Sequence, residues 1–336
     1  MPHLCQKGRE RHATPPRCTP AAPMASLPPD GQFSPQQTSA LLASLDHSPR
    51  KPLGQNFLVD GNIVRKSLQL ATITREDHVV EIGPGLGTLT AALLSTGATV
   101  HAIECDHVLA RHLRQWLAPR YPGKFFLLEG NAMDFPLAGL PTTTGGAPAD
   151  FKIVANLPYA ISTPWVSAML ACAHHPTEMV LMLQREAAER FTASHNPKGP
   201  NKAIGAISIA LSAAYASAQG HKVPPSCFLP APQVDSFLLH LHRHPQPRFL
   251  LPATMRVIRT LFLHRRKQLG KLLKSIPPTP ALNTWREAWP QLGVSPILRP
   301  EEIPFPVWYA LDCAFAATSQ GENSHAETFA KPCSNP

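Results

Sequence analysis

The sequence predicts a doubly wound, mostly parallel α/β sheet followed by a small all-helical domain. Five short and almost continuously apolar runs support the sheet, at 78–83, 98–104, 124–130, 151–157 and 178–184. Helical periodicity fills the gaps between the first three runs, for example over 106–119. Strands without polar alternation, separated by helices, are typical of a parallel sheet that is covered on both faces.

The rest of the chain divides by composition and periodicity. After residue 184 we predict helices over 185–194 and 203–216, a strand over 237–243, and helices over 253–275, 279–293 and 299–318. A helix over 34–46, capped by Ser34, is expected near the start. The resulting division is a disordered Pro-rich tail (1–36), a main domain (37–248), a helical C-terminal domain (249–318) and a disordered polar tail (319–336).

Composition narrows the class of protein. The 336 residues carry a net charge of +9, which favours a polyanionic partner such as nucleic acid. The seven cysteines include no Cys-x-x-Cys pair, which argues against a disulfide framework or a zinc knuckle and fits a reducing cytoplasm. No apolar run approaches the length of a membrane span, so we expect a cytoplasmic protein without membrane contact.

A glycine-rich turn, "EIGPGLGTLT", follows the first strand and opens a helix. Gly83, Gly85 and Gly87 allow close approach of a ligand to the helix N-terminus. Glu104 ends the second strand, where a carboxylate can accept hydrogen bonds from ribose hydroxyls. Thr88 stands where a dinucleotide fingerprint needs Gly or Ala, which disfavours NAD. The alternatives are a turn without a ligand and a Glu104 that is only a surface residue.

Polar residues also follow the third and fourth strands. Asn131 and Asp134 follow the third strand, where they either form a turn or read an adenine edge. The fourth strand ends in "NLPYAISTP", with Asn156, Pro158 and Tyr159. Asn and Pro end strands well, so these residues either stop the strand or line a site at the carboxyl edge of the sheet.

Seven segments occur in the order found in one family: "LGQNFLVD", "EIGPGLGTLT", "AIECD", "GNAMDF", "ANLPYAISTP", "LMLQREAAERF" and "VPPSCFLPAPQVDSF". Over about residues 50–275 the chain resembles the small-subunit rRNA adenine N6-dimethyltransferases of the KsgA type. The resemblance implies a Rossmann-like methyltransferase sheet over 37–248 and S-adenosylmethionine as methyl donor. The residues expected to bind that cofactor are Asn56, Leu58, Gly83, Gly85, Glu104, Asn131 and Asn156.

Two positions depart from the family pattern. Asn131 stands where the family usually has an Asp that reads the amino group of the cofactor adenine. The Asn carbonyl can still accept that hydrogen bond, but without a charge, so we expect a weaker contact. After Lys202, the chain has Ile204, Gly205 and Ala206 in place of Tyr-Gly-Arg, and we therefore assign no RNA contact to that loop.

The resemblance also suggests roles in transfer to an adenine N6. The Asn156 side-chain oxygen and the Pro158 carbonyl are expected to accept hydrogen bonds from the amino group, which localises its lone pair. Tyr159 offers a ring on which a flipped base can stack. Phe228 is expected either to cover the other face of the base or to be a core residue.

A basic stretch lies in the helical region. No Asp or Glu occurs between Ser236 and Arg286, and "HRRKQLGKLLK" concentrates the charge. We assign RNA contact to Arg265, Arg266, Lys267 and Lys271; the alternative is a solvated charged face.

Three histidines, His240, His242 and His244, alternate on one predicted strand and would share a face. A metal site is one interpretation of such a group. Since no Cys or carboxylate joins them in the sequence, we favour a strand face exposed to solvent or RNA, and predict no metal.

The leading functional hypothesis is dimethylation of two adjacent adenines near the 3′ end of small-subunit rRNA, on the immature 30S subunit, by a monomer. The alternatives are a 23S rRNA adenine N6-methyltransferase of the macrolide-resistance type and a non-catalytic nucleic-acid-binding relative.

Overall fold

A computed structural model describes residues 33–141, 150–195, 201–218 and 220–326. The strands are β1 (Phe57–Leu58), β2 (His78–Ile82), β3 (Thr99–Glu104), β4 (Phe125–Glu129), β5 (Lys152–Asn156), β6 (Glu178–Gln184), β7 (Tyr215–Ser217), β8 (His221–Val223), β9 (Phe228–Leu229) and β10 (Ser236–Arg243). The α-helices are α1 (Pro35–Ser44), α2 (Gly61–Leu70), α3 (Thr88–Ser95), α4 (His107–Trp116), α5 (Ser162–Met169), α6 (Arg185–Phe191), α7 (Ala206–Ala214), α8 (Pro252–Leu263), α9 (Leu269–Leu273), α10 (Pro280–Glu287) and α11 (Phe305–Ala326).

The central sheet has the strand order β4-β3-β2-β5-β6-β10-β7, and β8 also pairs with β10. Strands β2 to β6 are parallel, whereas β10 runs antiparallel to β6, β7 and β8. The five predicted parallel strands lie within one residue of their expected ends, which confirms the fold class. The chain order of the strands reverses between β2 and β5, and ligands bind at such a switch point in doubly wound folds.

Both faces are buried at the inner strands β2, β3, β5 and β6, which explains their almost unbroken apolar runs, whereas the edge strand β4 leaves Phe126 exposed. Val79 packs into the core beneath α2, α3 and α4, whereas Val80, the next residue, packs into the core on the opposite face with α5 and α7. A third core joins α8 to α11 and includes the fully buried Trp285 and Trp308. Ile209 of α7, which precedes residue 249, also packs in this third core. The domain boundary predicted at residue 249 therefore stays a prediction.

Several helices are shorter than the sequence predicts, and two of them have a clear structural reason. The predicted helix over 203–216 ends at Ala214, because Tyr215 begins β7 and pairs with Arg243 at the edge of the sheet. The predicted helix over 253–275 is two helices, α8 and α9. The intervening basic residues supply no apolar side chain to continue a buried stripe, and α9 instead docks through the backbone bond from Leu269 to the Leu298 carbonyl.

Both predicted tails overlap helices. Helix α1 begins inside the predicted tail 1–36, with the expected Ser34 cap and Phe33 buried in the core. Helix α11 extends to Ala326, past the predicted start of the tail at residue 319. Residues 1–32 and 327–336, and positions 142–149 of the loop after β4, lie outside the described residues. In the described part of the chain, no helix combines the length and apolar character that a membrane crossing needs.

The three histidines expected on one exposed face differ in burial: His242 is exposed, whereas His244 is half-buried. His240 is buried and hydrogen-bonds the Glu178 carboxylate, and His242 Nδ1 lies 3.2 Å from the same oxygen. His244 lies beyond the end of the strand and contacts the Ser212 carbonyl. A carboxylate therefore does join the group, since Glu178 lies opposite His242 in the antiparallel register. The absence of a metal stays a prediction.

Candidate active site

A cleft of about 370 Å³ opens at the carboxyl ends of β2, β3 and β5, at the switch point of the sheet. Residues 47–58, which we call the wall segment, run along one side of it, and residues 52–58 line it. The remaining lining comes from the glycine-rich turn after β2 and from the turns that follow β3, β4 and β5. This volume is within the range of small-molecule sites in proteins.

The cleft brings together most of the predicted site residues. All seven predicted cofactor-binding residues line it, together with Pro158 and Tyr159. Phe228 does not line it: its side chain is buried in the core beneath α2 to α4, and its backbone pairs with Leu58. The burial gives Phe228 no free face for a base, so the core interpretation is the one that the structure favours.

The glycine-rich turn holds the floor of the cleft in a conformation that side chains disfavour. Gly83, Gly85 and Gly87 have φ values of 66°, 61° and 87°. A Cβ atom on Gly85 would lie 3.2 Å from the Phe57 ring, and one on Gly87 would lie 2.8 Å from side chains of α4. The first glycines therefore keep the cleft open, whereas Gly87 allows α3 to pack against α4.

Glu104 lies at the end of β3 with its carboxylate oriented by two backbone groups. Oε2 accepts a hydrogen bond from Gly85 N at 3.0 Å, and Oε1 accepts one from Asp106 N at 2.9 Å. Burial raises the pKa of the Glu104 carboxyl, and these two N–H groups oppose the shift. Each oxygen keeps a further lone pair, so the group can accept hydrogen bonds from the two hydroxyls of a ribose.

Glu81 is a cleft residue that the sequence reasoning missed. Its carboxyl is 2% exposed, and Oε2 has no hydrogen-bond partner. Burial raises its pKa to about 8, so the carboxyl is largely protonated at neutral pH. A carboxyl oxygen without a partner in the lining fits a ligand that offers hydrogen-bonding groups. A glutamate inside the apolar run "HVVEIG" was the available signal.

Asn156 has a fixed amide orientation. Its Nδ2 donates to the Asn56 carbonyl of the wall segment at 3.1 Å, which leaves the side-chain oxygen as the free end. The Pro158 carbonyl is not free, because it accepts from Ile161 N at 3.1 Å and Ser162 Oγ at 3.3 Å. By contrast, the Leu157 carbonyl has no donor among the described residues, and Leu157 lines the cleft. The short helical turn after Pro158 redirects its carbonyl, which the sequence did not reveal.

Tyr159 presents its ring to the cleft and is anchored at its hydroxyl. The hydroxyl hydrogen-bonds Ser236 Oγ, and Ser236 is fully buried at the start of β10. Burial raises the pKa of Tyr159, so the phenol stays protonated. The sequence reasoning missed Ser236, although it stands in the quoted segment "QVDSF".

Asn131 offers a different group from the one expected. Its Oδ1 accepts from Met133 N at 2.9 Å, so one lone pair is used inside the turn and the amide hydrogens are the unused polar group. The expectation that Asn131 accepts a hydrogen bond from the cofactor amino group is weakened by this bond, because a local turn competes for the same oxygen.

The predicted RNA-binding residues lie on the helical part, away from the cleft lining. Arg266, Lys267 and Lys271 are exposed and line one groove with Arg299 and Glu302. Arg265 is half-exposed but engaged within the chain: it donates to the Lys202 carbonyl at 2.7 Å and lies 3.7 Å from the Glu301 carboxylate. Acidic residues from the next part of the chain therefore fold beside the basic run, although the run itself contains none.

Known proteins are similar to this chain in sequence over most of its length. Residues 46–287 match the family model described as ribosomal RNA adenine dimethylase. The chain is 52% identical to a ribosomal RNA small subunit methyltransferase A from Opitutus terrae, over 83% of this chain and 98% of that protein. It is 39% identical to a protein with the same name from Magnetococcus marinus, over 76% and 88% of the two chains.

Among solved structures, a dimethyladenosine transferase from Plasmodium falciparum superposes with a TM-score of 0.60 at 22% identity, over 78% of this chain and 98% of that one. The 23S rRNA methyltransferase ErmE superposes with a TM-score of 0.53, also at 22% identity, over 78% and 100%. These two likenesses confirm the fold, and the family rests on the sequence matches. The chain belongs to the ribosomal RNA adenine dimethylase family.

Proposed function

We propose that the protein transfers methyl groups from S-adenosylmethionine to N6 of two adjacent adenines near the 3′ end of small-subunit rRNA. The observation that carries this proposal is the fixed Asn156 amide, which has its side-chain oxygen free and lines the same cleft as Glu104. One group suits an exocyclic amine and the other suits a ribose, so a single cleft can hold acceptor and donor side by side.

S-adenosylmethionine supplies a methyl group on a sulfonium centre. Glu104 would hold the ribose hydroxyls, and the turn at Gly83 and Gly85 would allow the backbone to approach the methionine part. Asn56 and Leu58 of the wall segment would cover the cofactor, and Asn131 would face its adenine. The orphaned Glu81 oxygen lies in the same lining.

The chain's own contribution to chemistry is to position and polarise an amino group. The lone pair of an adenine N6 is delocalised into the ring, which makes it a poor nucleophile. Two acceptors on its N–H groups, the Asn156 Oδ1 and the Leu157 carbonyl, favour a pyramidal nitrogen with a localised lone pair. Transfer would form one N–C bond as the S–C bond of the donor breaks, and the proton of the methylated nitrogen, which has become acidic, would pass to solvent.

Tyr159 would hold the flipped base through its ring. Base–aromatic stacking is worth about 1–3 kcal/mol, which is comparable with the few kcal/mol needed to unstack a nucleotide. Ser236 keeps this ring in place through the phenol, so the ring is oriented before the base arrives. Pre-organisation of this kind lowers the entropy cost of binding.

The partner would be small-subunit rRNA in the immature 30S particle, in the cytoplasm, bound by a monomer. Arg266, Lys267 and Lys271 supply an exposed basic groove for its phosphates. Arg265 would act indirectly, because its guanidinium is already engaged within the chain.

The test is tritiated methyl transfer to unmethylated 30S subunits and, in parallel, to 50S precursors, with the methylated position mapped. We expect label at two adjacent adenines of the small-subunit rRNA. Label only in 23S rRNA would favour the macrolide-resistance type of activity, and label in neither particle would favour a non-catalytic binding protein; both results contradict the proposal.

A further inference from the structure

Asp106 lies two residues beyond Glu104 and is completely buried. One carboxylate oxygen, Oδ1, caps helix α4 by accepting from Val108 N at 3.0 Å and Leu109 N at 3.4 Å. Its backbone N–H donates to Glu104 Oε1 at 2.9 Å. The residue therefore fixes the helix and the proposed ribose-binding carboxylate at the same time.

The other oxygen, Oδ2, faces the wall segment. Gln55 Nε2 donates to it at 3.2 Å, Arg50 Nη1 lies at 3.4 Å and His47 Nε2 lies at 3.8 Å. Gln55 is itself held, since its Oε1 contacts His47 Nε2 at 3.1 Å and accepts from Arg50 N at 2.8 Å. These contacts of His47, Arg50 and Gln55 around Asp106, which we call the Asp106 network, are side-chain bonds between the wall segment and the sheet.

Helix capping alone does not explain the Asp106 network. An N-cap needs one acceptor oxygen, and Oδ1 already supplies it. Oδ2 is a buried anionic acceptor, and hydrogen bonds to charged groups are among the strong ones in proteins. Because Gln55 and its neighbours 52–58 line the cleft, this bond helps to fix the position of one side of the cleft.

We propose that Asp106 is a positioning residue that holds the wall segment closed over the methyl donor and, through its backbone N–H, sets the orientation of Glu104. It acts through Gln55 and Glu104 without touching the cofactor itself. The inference rests on the proposed function, because the ligand of the cleft is taken to be S-adenosylmethionine.

The experiment uses the full chain and S-adenosylhomocysteine, the product form of the donor, as the probe. Calorimetry would give its dissociation constant for the wild type, Asp106→Asn and Gln55→Ala, and hydrogen exchange would follow peptides that cover residues 47–58. We expect dissociation constants raised about tenfold or more in each variant, and faster exchange in the wall segment. The effects of Asp106→Asn and Gln55→Ala on the dissociation constant should be non-additive in the double variant, because both changes break the same Gln55–Asp106 interaction.

Asp312→Asn is the matched control. Asp312 is also a buried carboxylate, and it accepts from Leu251 N at 2.8 Å and Thr254 Oγ1 at 2.7 Å in the helical part. It should lower the melting temperature without changing the dissociation constant or the exchange of residues 47–58.

The outcomes separate the two ideas. If the wild type binds the probe and both variants bind it equally well with unchanged exchange, Asp106 only caps α4 and the inference is overturned while the proposed function stands. A wild type that does not bind the probe would overturn both. Should Asp106→Asn fail to fold, Gln55→Ala alone decides, since Gln55 contributes nothing to the α4 cap.

Discussion

Replacing Asn156 by alanine gives the most direct test of the proposed chemistry. The change removes the side-chain oxygen and also the bond from Nδ2 to the Asn56 carbonyl. Loss of one pre-organised transition-state contact costs about 10²–10³ in rate, or roughly 2.7–4 kcal/mol. The lost bond to Asn56 adds about 1 kcal/mol, since the wall segment is then less well fixed. Together we expect a loss of at least about 10³-fold in the rate of methyl transfer.

The assay is single-turnover methyl transfer to unmethylated 30S subunits, with RNA affinity measured separately by filter binding. RNA affinity should change little, because the basic groove lies on the helical part. Asn62→Ala is the matched control, since Asn62 is exposed on α2 and bonds only within its own helix and cap. Transfer by Asn156→Ala at a rate close to that of the control would remove Asn156 from the mechanism.

Four further predictions follow from the same structure. The double change Arg266→Glu and Lys271→Glu should weaken RNA binding by at least tenfold and flatten its salt dependence, whereas Lys66→Glu on α2 should do neither. If RNA binding by the wild type did not depend on salt, the proposed RNA surface would be contradicted. Burial lowers the pKa of His112 to about 4 from its usual 6.5. The contribution of the neutral His112 to the free energy of unfolding is therefore fully present above about pH 6.5. It falls by roughly 3 kcal/mol in all as the pH drops towards 4. Denaturant melts should show this dependence flattened in His112→Leu, and an unchanged slope would rule out His112 as its source. Asn131→Asp should tighten the binding of S-adenosylhomocysteine several-fold, as measured by calorimetry. The change restores a charged acceptor beside the oxygen that Met133 N uses. Weaker binding would show that the amide hydrogens of Asn131 make the contact with the ligand. Chelation with EDTA should leave the methyl-transfer rate unchanged. A loss of activity that added zinc reverses would contradict the prediction that the protein has no metal site.

The parallel sheet was predictable because its signal is local. The inner strands β2, β3, β5 and β6 are buried on both faces, so their sequences are apolar almost throughout and their ends are marked by turn residues. The site residues at strand ends were predictable for a related reason: parallel strands bring their carboxyl ends to one edge, so Glu104, Asn131 and Asn156 had to lie near one another.

The features that the sequence did not reveal depend on partners far along the chain. Glu178 meets His240 only through the register of β6 against β10. The Pro158 carbonyl is turned away by a helical turn that depends on Ile161 and Ser162. Phe228 is buried because β9 pairs with β1, and two-residue strands carry too little pattern to be recognised in a sequence.

The short β1–β9 pairing also anchors the wall segment to the rest of the fold. Phe57 and Leu58 of the wall segment pair with Leu229 and Phe228, so the cover of the proposed cofactor site is held to the segment that precedes β10. The same wall segment supplies, at Asn56, the carbonyl that orients the Asn156 amide towards the proposed target. A displaced wall segment would therefore lose the cofactor cover and the amide orientation together. Because the wall segment serves both the cofactor site and the Asn156 amide, the Asn156 oxygen is correctly placed for an adenine only when the wall segment is in position over the donor.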